Sequence, residues 1–255
     1  MTDADGKKEY RAPALEKGLD VLELLSNGQS YSFPEIVQKL GRSSGELFRM
    51  VQVLEGRGYI EQRPGGLTLT PRMFELGLGQ PPMQNLVEIA LPIMRRLSTS
   101  SLQSCHLVMP SRGDMVVVAR MESPAQLGFS VRVGYRQPMY MTGSGAILYA
   151  FQPDDVRAAW ESMFDPAPSA NELASFKKRA EALRTAGYVR QPSTIFDGIT
   201  DISAPVVRGD RAAAALAVPF INPKMTAPQI EEVIALLESA ANEISAAVMI
   251  GDNRA

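Results

Sequence analysis

The chain is poor in the residues that carry redox and metal chemistry. Its 255 residues include one cysteine, Cys105, and one histidine, His106. A lone cysteine excludes an intramolecular disulfide and a cysteine-rich zinc site, and a lone histidine excludes a multi-histidine metal centre. Surplus charge is missing too: 26 Lys and Arg face 28 Asp and Glu, a formal net charge of −2. That excludes a globally basic coat for nucleic acid, while a local basic patch stays compatible with it. Long apolar runs are absent. The longest, "AAAALAVPFI" from Ala212 to Ile221, is about half of the ~20 residues that a bilayer-spanning helix needs. The opening "MTDADGKKEY" lacks the apolar core of a secretory signal. The expectation is a cytoplasmic chain with no membrane segment, no metal and no cofactor.

What remains is ordinary globular material, 45% apolar and 21% charged, enough to bury real cores. The length suits one small and one medium domain. In "APALEKGLDVLELLSNG", Leu15, Leu19, Leu22 and Leu25 recur at helical spacing with Val21 beside them, until Asn27-Gly28 ends the pattern. Ser32 and Glu35 of "SFPEIVQKLG" stand at capping-box spacing, with Pro34 in the first turn and Gly41 at the end. A third helix is expected from Ser43 to about Arg57. "YIEQR" and "LTLT" around "PGG" then read as two short strands and a turn. Three helices and a hairpin make a winged helix-turn-helix, over residues 1–76.

A short helix, "PRMFELG", gives way to a Gly/Pro stretch, so the domain boundary is placed at Gly77 to Gln84. A linker and connecting helix, "LVEIALPIMRRLSTS", occupy 77–100. The second domain, 101–255, opens with a hairpin turning at Arg112-Gly113-Asp114. "LGFSVRV" is expected to add a strand, and "TGSGAILYAF" a glycine-led turn into a helix. Helices follow at about Pro153 to Met163 and Asn171 to Ala186, then a strand pair around Gly209-Asp210 and a final helix from Thr226 to Ile250. The fold class is therefore α+β: a mostly helical head and an α/β sensor-like domain.

The third helix carries the sharpest signal. Leu47, Met50, Val51 and Leu54 mark a buried stripe. A rotation of about 100° per residue then leaves Gly45, Arg49, Gln52 and Gly56 on the opposite face, with Phe48 and Glu46 on its flanks. Arg49 sits mid-face with a guanidinium suited to phosphate or to guanine O6/N7; alone it could equally be a solvated arginine. Glu46 reads either as the far half of a Ser43-x-x-Glu46 capping box or as an acceptor for a cytosine amino group. Gly45 either lets the backbone approach DNA closely or is merely tolerated in a first turn. The candidate DNA-contacting residues are Arg42, Ser44, Gly45, Phe48, Arg49, Gln52 and, at the wing tip, Arg63. From Ser32 to Met73 there are six basic residues against four acids. So modest an excess predicts weak binding by one protomer and calls for paired half-sites.

No catalytic constellation emerges from the second domain. "TGSGA", Thr142 to Ala146, is not a Gly-x-Ser-x-Gly elbow. Cys105 and His106 are neighbours on an expected strand, so their side chains point to opposite faces and form no dyad; His106 reads as a partly buried histidine. The glycines of "TGSGA" could free backbone N–H groups at a helix start to seat an anion, or form a tight turn capped by Thr142 or Ser144. Met109, Met115, Met121, Met139 and Met141 crowd this half, as core packing or as the wall of a plastic pocket.

Taken together, "LEKGLDVLELL", "RMVQVLEGRGYIEQ", "LTLTPRMFELG", "LVEIALPIMRRLS", "MYMTGSGAILYAF" and "GITDISAPVV" resemble, in order from about Ala12 to Val248, the IclR-type bacterial transcriptional regulators. The resemblance implies a winged helix-turn-helix joined by a linker helix to a GAF-like effector-binding domain. It implies a homodimer or homotetramer on double-stranded operator DNA, modulated by a small-molecule effector, organic acids being common in the family. Arg49 matches the arginine usual in the recognition helix, and Phe48 falls where Tyr or His is common. Ser43 to Glu46 departs from the family pattern, which bears on the operator sequence. The loop Thr142, Gly143, Ser144 and Gly145 matches the border of the effector pocket. Asp201, Ile202, Ser203 and Ala217 match its lining, and Met109 is the methionine added to that set. Thr194 stands where an acid is frequent, which sets the ligand apart from the commonest acids. The rival reading is a metabolite-binding protein or enzyme whose winged-helix head binds protein instead of DNA.

Overall fold

A computed structural model describes residues 12–78, 83–126, 128–222 and 228–252. The chain divides into two compact units, Met1–Met83 and Gln84–Ala255.

In the first unit, α1 (Pro13–Leu25), α2 (Phe33–Leu40) and α3 (Ser44–Gly56) precede a hairpin of β1 (Ile60–Arg63) and β2 (Gly66–Leu69), then α4 (Arg72–Leu78). Local chemistry sets the helix ends. Before α2, the Ser32 N–H and hydroxyl both donate to the Glu35 carboxylate at 2.7 Å, and Gly41 ends the helix at φ 61°, where a glycine avoids the Cβ penalty. The core is Val21, Leu25, Ile36, Leu47, Val51, Ile60 and Leu67. The expected α1 stripe therefore splits: Leu25 is buried, whereas Leu15 and Leu19 are 63% and 48% exposed. The hairpin is stitched to the loop after α1 by a Tyr31–Leu67 bridge. Gly66 is obligatory there, because its φ is 118° and a Cβ would lie 2.5 Å from the Tyr31 carbonyl.

The second unit is a six-stranded antiparallel sheet in the order β5-β4-β3-β8-β7-β6. Its strands are β3 (Cys105–Ser111), β4 (Asp114–Met121), β5 (Arg136–Pro138), β6 (Val189–Pro192), β7 (Ile199–Arg208) and β8 (Arg211–Ile221). The helices are α5 (Met83–Ser101), α6 (Gly143–Ala150), α7 (Asp154–Glu161), α8 (Ala170–Ala186) and α9 (Ile230–Asp252). The central strand β8 is apolar along almost its whole length because both its faces are covered. Leu216, Val218 and Phe220 pack with Ala90, Met94 and Leu97 of α5 and Leu237, Ala241 and Ile244 of α9. Ala215 and Ala217 turn to the other side, toward Ala146 and Ile147 of α6 and Phe176 and Ala180 of α8. Gln103 holds the entry to β3 against the end of β8, donating to the Ile221 carbonyl at 3.0 Å and accepting from its N–H at 3.1 Å.

Two sequence expectations change here. "LGFSVRV" forms no strand over its described residues, 128–133; β4 instead pairs with Arg136–Pro138, after a turn at Gly134 (φ 84°). The strand β6 was not expected at all. It is a short edge strand ending in proline, which weakens any sequence signal.

Candidate nucleic-acid interface and effector cavity

The face that could meet DNA is built from α2, three linking residues and α3. At the start of α3, the Ser43 N–H and hydroxyl donate to one oxygen of Glu46 at 3.2 and 2.8 Å. Lys17 of α1 donates to the other at 2.7 Å. Lys17, and then the Ser43 hydroxyl and N–H, hold the Glu46 carboxyl down at about 2. Both oxygens of Glu46 are thus committed within the protein, which gives this residue to the cap and leaves it little to offer a cytosine.

Leu47 and Val51 are buried, while Ser44, Gly45, Phe48, Arg49 and Gln52 are exposed on the far side. Phe48 is anchored edge-on to Phe33 of α2, ring centroids 6.0 Å apart. A Cβ on Gly45 would meet nothing within 4 Å, so packing does not require a glycine there. Arg49 has no ion-pair partner among the described residues. The other two predicted cations are engaged: Arg42 reaches Asp20 at 3.3 Å, and Arg63 grips one oxygen of Glu61 at 2.8 and 2.6 Å. Exposed pairs of this kind are weak and exchangeable, so a phosphate could take over either arginine.

In the second unit a cavity of about 230 Å³ opens between the sheet, the start of α6 and the segments 129–135 and 193–199. Of the residues expected at an effector site, Thr142, Ser144, Asp201, Ile202, Ser203 and Ala217 line it. Three others do not. Met109 packs with the α5/α9 core, because strand alternation turns it away from the face that carries His106. Gly143 lies against Val189 and Asp201, where a Cβ would come within 3.3 and 3.5 Å of their side chains. Gly145 is pressed on the turn before α6: a Cβ would stand 2.3 Å from the Met139 carbonyl oxygen. Its role is close backbone approach. The Gly145 N–H is also taken, donating to Thr142 Oγ1 at 3.0 Å.

The cavity holds residues that the sequence did not assign to it: His106, Phe129, Ser130, Arg132 and Phe196. Phe129 and Phe196 meet edge to face at 4.9 Å. Burial pushes His106 down to about 4, so it is a neutral imidazole near pH 7. Burial also raises Asp201, opposed by a hydrogen bond from Ser193. Thr194 donates to the Met141 carbonyl at 2.6 Å, tying this loop to the turn before α6. Cys105 faces the opposite core; burial pushes its thiol up to about 12, and it lies 3.4 Å from the Met94 carbonyl. It is a structural thiol with no nucleophilic character.

Among the described residues there is no cluster of three or more His, Cys, Asp or Glu that could hold a metal. No described helix is long and apolar enough to cross a membrane.

Comparison with known proteins matches both units. The IclR helix-turn-helix domain model covers residues 14–64, and the C-terminal model of the bacterial transcriptional regulator IclR covers 82–246. The chain is 26% identical over 254 residues to the HTH-type transcriptional regulator KdgR of Escherichia coli K12, covering 96% of this chain and 97% of that protein. It is 22% identical over 246 residues to the transcriptional repressor AllR of the same strain, covering 93% and 90%. Among solved structures, an IclR homolog from Microbacterium hydrocarbonoxydans complexed with 4-hydroxybenzoate superposes with a TM-score of 0.77 at 22% identity, covering 93% of this chain and 99% of that one. With an exposed α3 face in one unit and a walled cavity in the other, this chain belongs to the IclR family of bacterial transcriptional regulators, non-enzymatic proteins that bind DNA and respond to a ligand.

Proposed function

We propose that this regulator binds operator DNA as a homodimer or a pair of dimers in the bacterial cytoplasm, with α3 in the major groove and the wing on the backbone. The observation that carries this reading is Arg49, an arginine exposed at the middle of the α3 face with no carboxylate to satisfy it among the described residues. Gly45 and Ser44 beside it leave the first turn open for the backbone to approach phosphate. Arg42 and Arg63 exchange their carboxylate partners for phosphates on binding, and Phe48, braced by Phe33, offers an apolar edge to a base.

Self-association is supported by an apolar groove on the same unit, lined by Leu15, Leu19, Val53, Met73 and Leu76. All five are between 44% and 63% exposed, an unusual density of bare aliphatic surface for a small domain. A second copy covers it, and the two heads then present two α3 helices to successive half-sites. Residues 77–100 serve as the connection to the effector unit.

The cavity receives a small organic acid. Arg132 on its wall has no ion pair among the described residues, and the N–H of Ser144 lacks an acceptor there. Asp201 stands on the same wall, its carboxyl raised by burial and held back by a hydrogen bond from Ser193. The 4-hydroxybenzoate held by the Microbacterium homolog belongs to the same class. Ligand binding shifts the population of head arrangements that fit the operator.

The test is fluorescence anisotropy on DNA flanking the protein's own gene, against scrambled DNA of equal length, at two salt concentrations. Wild type is expected to bind the flanking DNA selectively, and Arg49→Ala to lose about 1–3 kcal/mol. Equal binding of both DNAs by wild type, or an Arg49→Ala variant as tight as wild type, overturns the assignment of α3.

A further inference from the structure

His106 lies on β3 opposite Ala217 of β8, which lies opposite Ser203 of β7. Paired residues of an antiparallel sheet point to the same face, so the three form one row along the cavity floor. The methyl of Ala217 leaves room between the two polar side chains. His106 is only 8% exposed and Ser203 1%, yet neither side chain has a hydrogen-bond partner among the described residues. Arg120, the neighbour of His106 on β4, turns away to Glu122 at 2.8 Å. On the wall, the Ser130 hydroxyl is fully buried and also unpartnered. Buried polar groups in folded proteins nearly always have partners. The Ser130 hydroxyl is an exception, while His106 and Ser203 line the cavity with no protein partner among the described residues, so a ligand there can bond to them.

The chemistry of these groups narrows the ligand. A neutral imidazole offers one N–H donor and one lone pair, and a serine hydroxyl can likewise donate or accept. A ligand hydroxyl, itself both donor and acceptor, satisfies either. Beside the polar Arg132, Thr142, Ser144, Ser193 and Asp201, the wall presents apolar and aromatic surface from the Phe129–Phe196 pair, Val131 and Ile199. An engineered apolar cavity of roughly 150 Å³ takes benzene. At about 230 Å³, this one has room for a single ring with substituents.

We propose that His106 is the specificity-determining residue of the effector site: the cavity selects a single-ring compound carrying a hydroxyl, and that hydroxyl bonds to the His106 imidazole with Ser203 beside it. The proposal rests on the reading that this cavity is the effector site.

Isothermal titration calorimetry on the full-length protein tests both, with benzoate, 3-hydroxybenzoate, 4-hydroxybenzoate and 4-methoxybenzoate as probes. Wild type should bind at least one hydroxybenzoate about tenfold or more tightly than benzoate or the methoxy compound, because a site built to bond a hydroxyl penalises its loss. His106→Leu should erase that preference while keeping benzoate binding, and His106→Gln, which still bonds, should keep part of it. Ala217→Leu fills the row and should abolish binding of all four. Wild type binding none of the probes, or all four equally, overturns the proposed ligand class. A hydroxyl preference that survives His106→Leu, with Ala217→Leu still abolishing binding, overturns the role of His106 and leaves the cavity as the site. Binding that survives Ala217→Leu places the ligand elsewhere and overturns both.

Discussion

The two units handle polar groups in opposite ways. In the head, most charges near the candidate DNA face lie at the surface and are already matched, Lys17 with Glu46, Arg42 with Asp20, Arg63 with Glu61 and Arg72 with Glu75, and Arg49 is the exception. In the effector unit, the groups that could meet a ligand are withdrawn into a cavity and unmatched: His106 and Ser203 on its lining, with the sealed Ser130 hydroxyl beside them. The difference follows from solvent. Near water an ion pair adds little and is easily exchanged, so a surface can keep its charges neutralised until phosphate arrives. Away from water an unpaired donor carries a real penalty, and a partner that relieves it is chosen sharply. The head is built for adjustable contact and the cavity for discrimination.

Glycines sharpen the contrast, and one of them carries the largest expected effect. Gly145 has the Met139 backbone where a Cβ would go, at 2.3 Å from the carbonyl oxygen and 2.6 Å from Cα. Backbone cannot rotate aside as a side chain can. Gly145→Ala is expected to destabilise the effector unit by about 3 kcal/mol or more, at the severe end for overpacking. The only tryptophan of the chain is Trp160, in α7, so its fluorescence during urea unfolding reports on this unit alone. A midpoint unchanged from wild type would show that the turn before α6 yields, and the contrast with the head would lose its main support.

The next effect comes from the buried imidazole. His106 is held at about 4 when folded, against an ordinary 6.5. Between those values the unfolded chain binds a proton that the folded chain does not, so stability falls as pH drops from about 6.5 toward 4. Between pH 7.5 and 5.5 this amounts to about 1 kcal/mol, since each tenfold difference in proton affinity between the two states is worth about 1.4 kcal/mol. The same tryptophan-monitored unfolding, on wild type and His106→Gln, isolates the histidine, because all other titrating groups are common to both. Equal pH slopes in the two proteins would mean that His106 protonates freely in the fold and is open to solvent.

Much of the head was legible because its signals are local. Ser32, Gly41 and Ser43 delimit helices through bonds to residues within a few positions, and the Leu47/Val51 stripe is a single helical period. What escaped the sequence are contacts across the chain. Asp20 lies 22 positions from Arg42, and Lys17 lies 29 from Glu46, so neither pair leaves a pattern to read. Leu15 and Leu19 fit the stripe as well as Leu25 does, and spacing alone cannot say which apolar residues the core uses and which remain bare. The cavity was half legible. Thr142, Ser144, Asp201, Ile202, Ser203 and Ala217 came from resemblance to the family, and strand alternation correctly set Cys105 and His106 on opposite faces. Which of those faces is the cavity depends on the register of β3 with β8, more than 100 positions away. Phe129, Ser130 and Arg132 fall in a stretch with strand-like composition that the sheet does not use, since β4 takes 136–138 as its neighbour.

The smallest effect belongs to the other glycine and probes the head from the opposite side. A Cβ on Gly45 meets nothing within 4 Å, and the residue lies in the first turn of α3 with no unusual backbone angle. Gly45→Ala should therefore stabilise the head by about 0.5 kcal/mol, part of the usual gain from alanine in a helix. Thermal unfolding followed by far-UV circular dichroism would register it. If the α3 first turn lies against DNA, the same methyl occupies space that the backbone needs to reach phosphate, and operator affinity should fall several-fold while stability rises. Opposite signs in the two measurements identify a glycine kept for the interface at a cost in stability. A variant that is more stable and binds equally well would mean that the α3 contact begins further along the helix, at Phe48 and Arg49, and that Gly45 is merely tolerated.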